Sequence, residues 1–158
     1  MYDFDVVFLL IAQPASSRVG DMLALHDYLA SSGVCTTVAT SPTDLAMLGK
    51  RLRILLIDGE GESAFDVYAV ISAMRQLDNV GIVFLADESP LSCERAMYAG
   101  ADVCLPARTA YSAVLRSVVD LASGRKPAPI IDERVAVKRK RQRRRHYIGL
   151  SLRSRFSR

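Results

Sequence analysis

The sequence predicts an α/β fold of five βα units around one parallel sheet, and three observations predict it. Short apolar runs alternate with longer segments of helical period. The runs are nearly continuous in Val, Ile, Leu or Phe, as expected of strands covered by helices on both faces. Half of the 158 residues are apolar, enough for one ordinary core and a modest appendage.

The elements follow in order. Asp5 to Ala12 reads as a strand, after which Ser16 or Ser17 caps a helix over Val19 to Ser32 that Gly33 stops. Val34 to Ala39 is the second strand, and Thr43 caps a helix over Asp44 to Lys50 with Gly49 at its end. Arg53 to Asp58 is the third, with Ser63 capping a helix over Phe65 to Leu77. Its stripe of Val67, Val70, Ile71 and Met74 is core. Val80 to Ala86 is the fourth strand, and Ser89 caps a helix over Pro90 to Ala99 that Gly100 stops. Asp102 to Leu105 is the fifth, and Thr109 caps a last helix over Ala110 to Ser123 with Val114, Leu115, Val118 and Leu121 inward. Gly124 ends that helix, and Pro127 and Pro129 keep it from restarting. Residues 1–124 therefore read as one domain and 125–158 as a basic, flexible tail.

Right-handed crossovers leave few ways to wind such a chain. The expected form is a flavodoxin-like (βα)5 three-layer sandwich with parallel strand order 2-1-3-4-5. That order sets the carboxyl ends of the first, third and fourth strands side by side. Ala12, Gln13, Asp58, Leu85 and Ala86 should then line one crevice, the place where open α/β sheets bind ligands.

Composition narrows the setting. No stretch reaches the roughly 18 consecutive apolar residues of a membrane span, and Asp3 and Asp5 stand where a secretory signal would carry lysines. A cytoplasmic protein is expected. Cys35, Cys93 and Cys104 are odd in number and widely spaced among apolar residues, which predicts reduced, buried thiols rather than bridges or a zinc site. No metal site is expected. The net charge of +4 hides a division: residues 1–124 hold 8 Lys+Arg against 15 Asp+Glu, net −7, and residues 125–158 hold 13 against 2, net +11.

Three stretches resemble a known family, the receiver domains of two-component response regulators. They are ILLIDGEGESAFDVYAVISAMR, with Asp58 at the phospho-acceptor place; GIVFLADESPLSCERAMYAGADVCLPAR, with Gly100-Ala101-Asp102 turning into the fifth strand; and TAYSAVLRSVVDLASG, similar to the last helix. The resemblance spans roughly residues 5 to 123. It implies an acceptor aspartate that attacks a phosphoryl group as a carboxylate nucleophile. Because two anions must meet, such domains use magnesium held by acids at the end of the first strand, a lysine at the end of the fifth and a hydroxyl at the end of the fourth.

This chain departs at all three places. Its first strand runs out as Leu10-Ile11-Ala12-Gln13-Pro14, the hydroxyl place matches Leu85, and the lysine place matches Ala107 between Pro106 and Arg108. Glu60, Glu62 and Arg108 are the only substitutes at hand, and acids on a glycine-rich loop are not posed like ligands on a rigid strand end. Asp58 then reads as a residual carboxylate that accepts hydrogen bonds from the next turn or caps the third helix. The resemblance implies a degenerate, or pseudo-, receiver: not an enzyme, without a cofactor, and binding magnesium only if Asp58 is phosphorylatable. Its partner would be a histidine kinase or another signalling protein. A homodimer through the fourth helix, fifth strand and fifth helix would use Leu91, Met97, Tyr98, Tyr111 and Arg116. Two alternatives stand beside it: a phosphorylatable receiver using Asp58, and the remnant of a DNA-binding response regulator without a complete output domain. A nucleotide binder is disfavoured, since Gln13-Pro14-Ala15-Ser16-Ser17 lacks the glycines of a phosphate loop; Ser16 and Ser17 offer at most an anion contact.

The tail packs Lys138, Arg139, Lys140, Arg141, Arg143, Arg144 and Arg145 into one short run. Its arginines suit phosphate-rich partners, because each neutralised phosphate releases a counterion. Nucleic acid, an anionic membrane surface or an acidic protein surface all fit that charge class, as does an inert remnant. The tail is too short to enclose a DNA-binding core.

Overall fold

A computed structural model describes residues 2–9, 17–48, 52–59, 65–77, 79–87 and 89–127. Five strands, β1 (Asp5–Leu9), β2 (Cys35–Ala39), β3 (Ile54–Asp58), β4 (Gly81–Ala86) and β5 (Val103–Pro106), alternate with five helices. These are α1 (Ser17–Ser31), α2 (Pro42–Leu48), α3 (Val67–Met74), α4 (Pro90–Ala99) and α5 (Tyr111–Ala122). All strand pairs are parallel and the order is β2-β1-β3-β4-β5, as the sequence predicts. The expected continuation of β1 to Ala12 falls outside the described residues.

Side-chain alternation along each strand divides the core into two layers. Val7, Leu9, Leu55, Ile57, Ile82 and Phe84 pack with Leu45 of α2, Val70 and Ile71 of α3 and Ala96 of α4. Val6, Phe8, Ile54, Leu56, Val83, Leu85, Val103 and Leu105 pack with Met22, Leu25 and Leu29 of α1 and Val114 and Val118 of α5. Helices α2, α3 and α4 thus cover one face and α1 and α5 the other, giving the three-layer sandwich. The predicted inward stripes are mostly buried, with Met74, Leu115 and Leu121 half-buried at their margins. Strand β2 departs from the expectation of covered strands. It lies at the sheet edge, and Ala39 is its only buried residue.

Three helix starts differ from the predicted caps. The Ser41 hydroxyl accepts the Asp44 N–H at 3.2 Å, while the Asp44 carboxylate accepts the Thr40 and Ser41 N–H groups at 2.9 and 3.0 Å. That is a capping box around Pro42, so the cap of α2 is Ser41 and not Thr43. These donors, Thr40 first and then Ser41, hold the Asp44 carboxyl below its ordinary value. Helix α3 starts at Asp66, whose carboxylate accepts from Tyr68 and Ala69 N–H; Ser63 lies outside the described residues. Ser89 and Ala110 occupy the cap positions of α4 and α5 without a side-chain bond, and Thr109 instead donates to the Pro106 carbonyl.

The turn Gly100-Ala101-Asp102 has a clear physical basis. Gly100 closes α4 at φ 118°, a left-handed conformation that favours glycine, and its N–H reaches the Ala96 and Met97 carbonyls. Ala101 is buried, and the Asp102 carboxylate accepts Ile82 N–H at 2.8 Å. Arg75, the C-cap of α3, joins the turn by donating to the Gly100 carbonyl at 2.6 Å and pairing with Asp102 at 2.7 Å.

The cysteines correct the sequence reading. Cys93 of α4 and Cys104 of β5 form a disulfide, half-buried against the α2–α3–α4 layer, with Cα atoms 5.7 Å apart. Cys35 is a free thiol on the edge strand and is exposed. Asp5 opposite it accepts a hydrogen bond from the thiol and adds its negative charge, which pushes the Cys35 pKa up. Lack of paired spacing says little here, because β5 returns along α4 and sets residues 11 apart within bonding distance.

Candidate functional site

Asp58 is the last residue of β3 and sits directly across from Leu85 of β4. It is 1 % exposed, and the strand ladder continues past it through Gly59 N–H donating to the Leu85 carbonyl at 2.8 Å. Alternation places Asp58 on the same side of β3 as Ile54 and Leu56, the side covered by α1 and α5. The first turn of α1 therefore faces it.

That turn carries Arg18. Its Nε donates to both carboxylate oxygens of Asp58, at 3.0 and 3.1 Å, and its Nη1 donates to the Ala107 carbonyl at 3.3 Å. Asp21, one turn on, lies 3.8 Å from the same Nη1. The Arg18 side chain is 12 % exposed. A delocalised, permanently charged guanidinium thus lies against a carboxylate withdrawn from water, a charge-assisted contact stronger than a neutral hydrogen bond. It ties together the start of α1, the end of β3 and the segment leaving β5. Beside it lies a cavity of about 210 Å³ lined by Arg18, Leu85, Ala107, Thr109 and Tyr111 among others.

The other predicted positions are distributed as follows. Leu85 is buried on the Asp58 side and has no hydroxyl to offer. Ala107 contributes only backbone, its N–H donating to the Ala86 carbonyl and its carbonyl accepting from Arg18. Arg108 is exposed. Ala12, Gln13, Glu60, Glu62 and the seven basic tail residues lie outside the described residues. Asp66, not Asp58, caps α3, and Arg18 donates to the Asp58 carboxylate. Sequence reading missed Arg18, which stands in a helix turn rather than at a strand end.

The donor set does not fit a magnesium ion. Such an ion needs carboxylates and waters in near-octahedral array, whereas Asp58, the one acid at this strand end among the described residues, faces a cation at 3.0 Å. A second cation at the same oxygens would be repelled by the first. What the arrangement does is hold a buried carboxylate in a fixed position against a guanidinium.

On the rim, Leu91, Met97 and Tyr98 of α4 are exposed, Tyr98 almost completely, and Arg116 of α5 is exposed as well. Tyr111 is half-buried against Tyr28, with ring centres 5.7 Å apart. Among the described residues, no helix is long and apolar enough to cross a membrane.

No family model and no curated protein matches the chain. Solved structures do. The receiver domain of the TMAO respiratory system response regulator TorR superposes with a TM-score of 0.65 at 18% identity, over 77% of this chain and 98% of that one. The signal receiver domain of response regulator NarL from Mycobacterium tuberculosis gives 0.60 at 20% identity, over 77% and 98%. A two-component response regulator from Clostridium difficile gives 0.61 at 13% identity, over 80% and 100%. Together with the five parallel strands in 2-1-3-4-5 order, these superpositions give the chain the fold of a response-regulator receiver domain.

Proposed function

We propose that this protein is a receiver-like regulator in phosphorelay-type signal transduction that acts through protein contacts, without phosphorylation of Asp58 and without enzymatic activity of its own. The observation that carries the reading is the ion pair from Arg18 to both oxygens of Asp58. An incoming phosphoryl group needs a free carboxylate lone pair and a divalent ion to cancel its charge. Arg18 engages the first and repels the second. No cofactor is required.

In this reading the partner is a histidine kinase or another signalling protein, with α4, β5 and α5 as the contact face and as the face for a homodimer. The run from Lys138 to Arg145 is the arm toward an anionic partner, nucleic acid included, with charge rather than sequence as its basis.

Intact mass after incubation with acetyl phosphate and magnesium tests the central point. The chain should show no added phosphoryl group. A phosphoryl adduct that disappears in Asp58→Asn would overturn the reading.

A further inference from the structure

The disulfide joins two elements that the rest of the structure holds unevenly. The carboxyl-terminal half of α4 is anchored several times over: Ala96 is fully buried, Gly100 and Ala101 N–H cap its last carbonyls, and Ser72 and Arg75 donate to the carbonyls of Ala99 and Gly100. The amino-terminal half has far less. Leu91, Glu94 and Arg95 are exposed, Ser89 makes no side-chain cap, and no residue of that half is fully buried. Its described side-chain ties are Cys93 to Cys104 and the guanidinium of Arg95 over the ring of Tyr68. Alternation in β5 turns Val103 and Leu105 toward α1 and α5, leaving Cys104 facing α4. A single covalent bond thus fastens the start of α4 to the sheet.

We propose that Cys93 and Cys104 are a reversible thiol–disulfide pair that sets how firmly the amino-terminal half of α4 is held, with a small disulfide of the glutathione class as oxidant. One cysteine thiolate attacks the oxidant's sulfur and releases the first glutathione thiolate. The second cysteine thiolate then attacks the mixed disulfide, closing the Cys93–Cys104 bond and releasing the second. Two cysteine thiols are oxidised, one glutathione disulfide is reduced to two glutathiones, and the two protons pass to the leaving thiolates. Both cysteines are half-buried at the margin of the core, and as thiols they still pack as small apolar groups. Reduction therefore loosens a helix end without dismantling the core. The input does not depend on Asp58, and it acts on the helix that carries the exposed Leu91 and Tyr98.

The full-length chain, equilibrated anaerobically over a range of reduced-to-oxidised glutathione ratios, acid-quenched and alkylated, is weighed intact. Of its 3 cysteines, only Cys35 should be alkylated at the oxidising end and all of them at the reducing end, reversibly. Hydrogen exchange on the same samples should be roughly tenfold faster at 90–95 in the reduced form, with α3 and 97–101 unchanged, since local openings follow local contacts. The double variant Cys93→Ser, Cys104→Ser should exchange like the reduced chain at every ratio. Three alkylated thiols throughout, a stable glutathione adduct in place of the bond, equal exchange in both forms, or acceleration across the whole domain would each overturn the proposal. The wild-type chain decides the matter even if the variant fails to fold.

Discussion

Arg18→Met is expected to lower the unfolding free energy by about 3 kcal/mol, because removing one partner of a buried ion pair strands the other's charge. Asp58 is 1 % exposed and Arg18 12 %, so water cannot take over the lost contact. Methionine keeps most of the apolar stem of arginine, so the loss reports charge more than volume. Adding Asp58→Asn to the same chain removes the stranded charge and should recover a large part of the loss. Urea unfolding of the wild type, both single variants and the double variant measures the coupling directly. A loss under about 0.5 kcal/mol for Arg18→Met, the range of ordinary surface changes, would mean that the pair does not hold the site together.

Gly59→Ala should cost about 2 kcal/mol, within the range for overpacking a filled core. A Cβ at Gly59 would lie 2.1 Å from Cζ of Phe84, and Phe84 is 1 % exposed with little room to withdraw. The glycine is needed here for close approach, since the ring of Phe84 packs over the backbone that leaves Asp58. Phe84→Leu in the same chain should relieve the clash, so that the double variant is more stable than the two single losses predict. Thermal unfolding of the four chains measures this. A neutral Gly59→Ala would show that the segment after Asp58 is free to move away from the ring.

The strand order and most helix positions were legible because they rest on strong, local signals: apolar runs of strand length, glycine stops at Gly33, Gly100 and Gly124, and inward stripes in α3 and α5. The misplaced caps rest on competition among neighbouring side chains. In Ser41-Pro42-Thr43-Asp44 the box needs both Ser41 and Asp44, and proline at the first helical position marks the residue before it as the cap. Asp58 is legible at its strand end, but its partner is not, because Arg18 stands in a helix turn and not at a strand end. Alternation from Ile54 and Leu56 already puts Asp58 on the α1–α5 side, where a cation in the first turn of α1 can reach it. The same parity sets Cys104 opposite Val103 and Leu105, toward α4, and Cys93 lies one helical turn before the buried Ala96. The first contact spans 40 residues, and the second joins consecutive elements whose facing sides depend on the layer each belongs to. They become visible only once the layers are assigned.

Arg18 is expected to hold the Asp58 carboxylate against any phosphoryl group, and occupancy of that carboxylate can be read without relying on a labile acyl phosphate. Beryllofluoride with magnesium, a stable phosphoryl mimic, is titrated into the nitrogen-15-labelled chain while backbone amide resonances are followed. Amides of Gly59, Ala86 and Ala107 should stay in place throughout, and in Arg18→Met any response should remain weak because that substitution adds no carboxylate to hold magnesium. Saturable shifts centred on Gly59 in the wild-type chain, abolished by Asp58→Asn, would contradict the account.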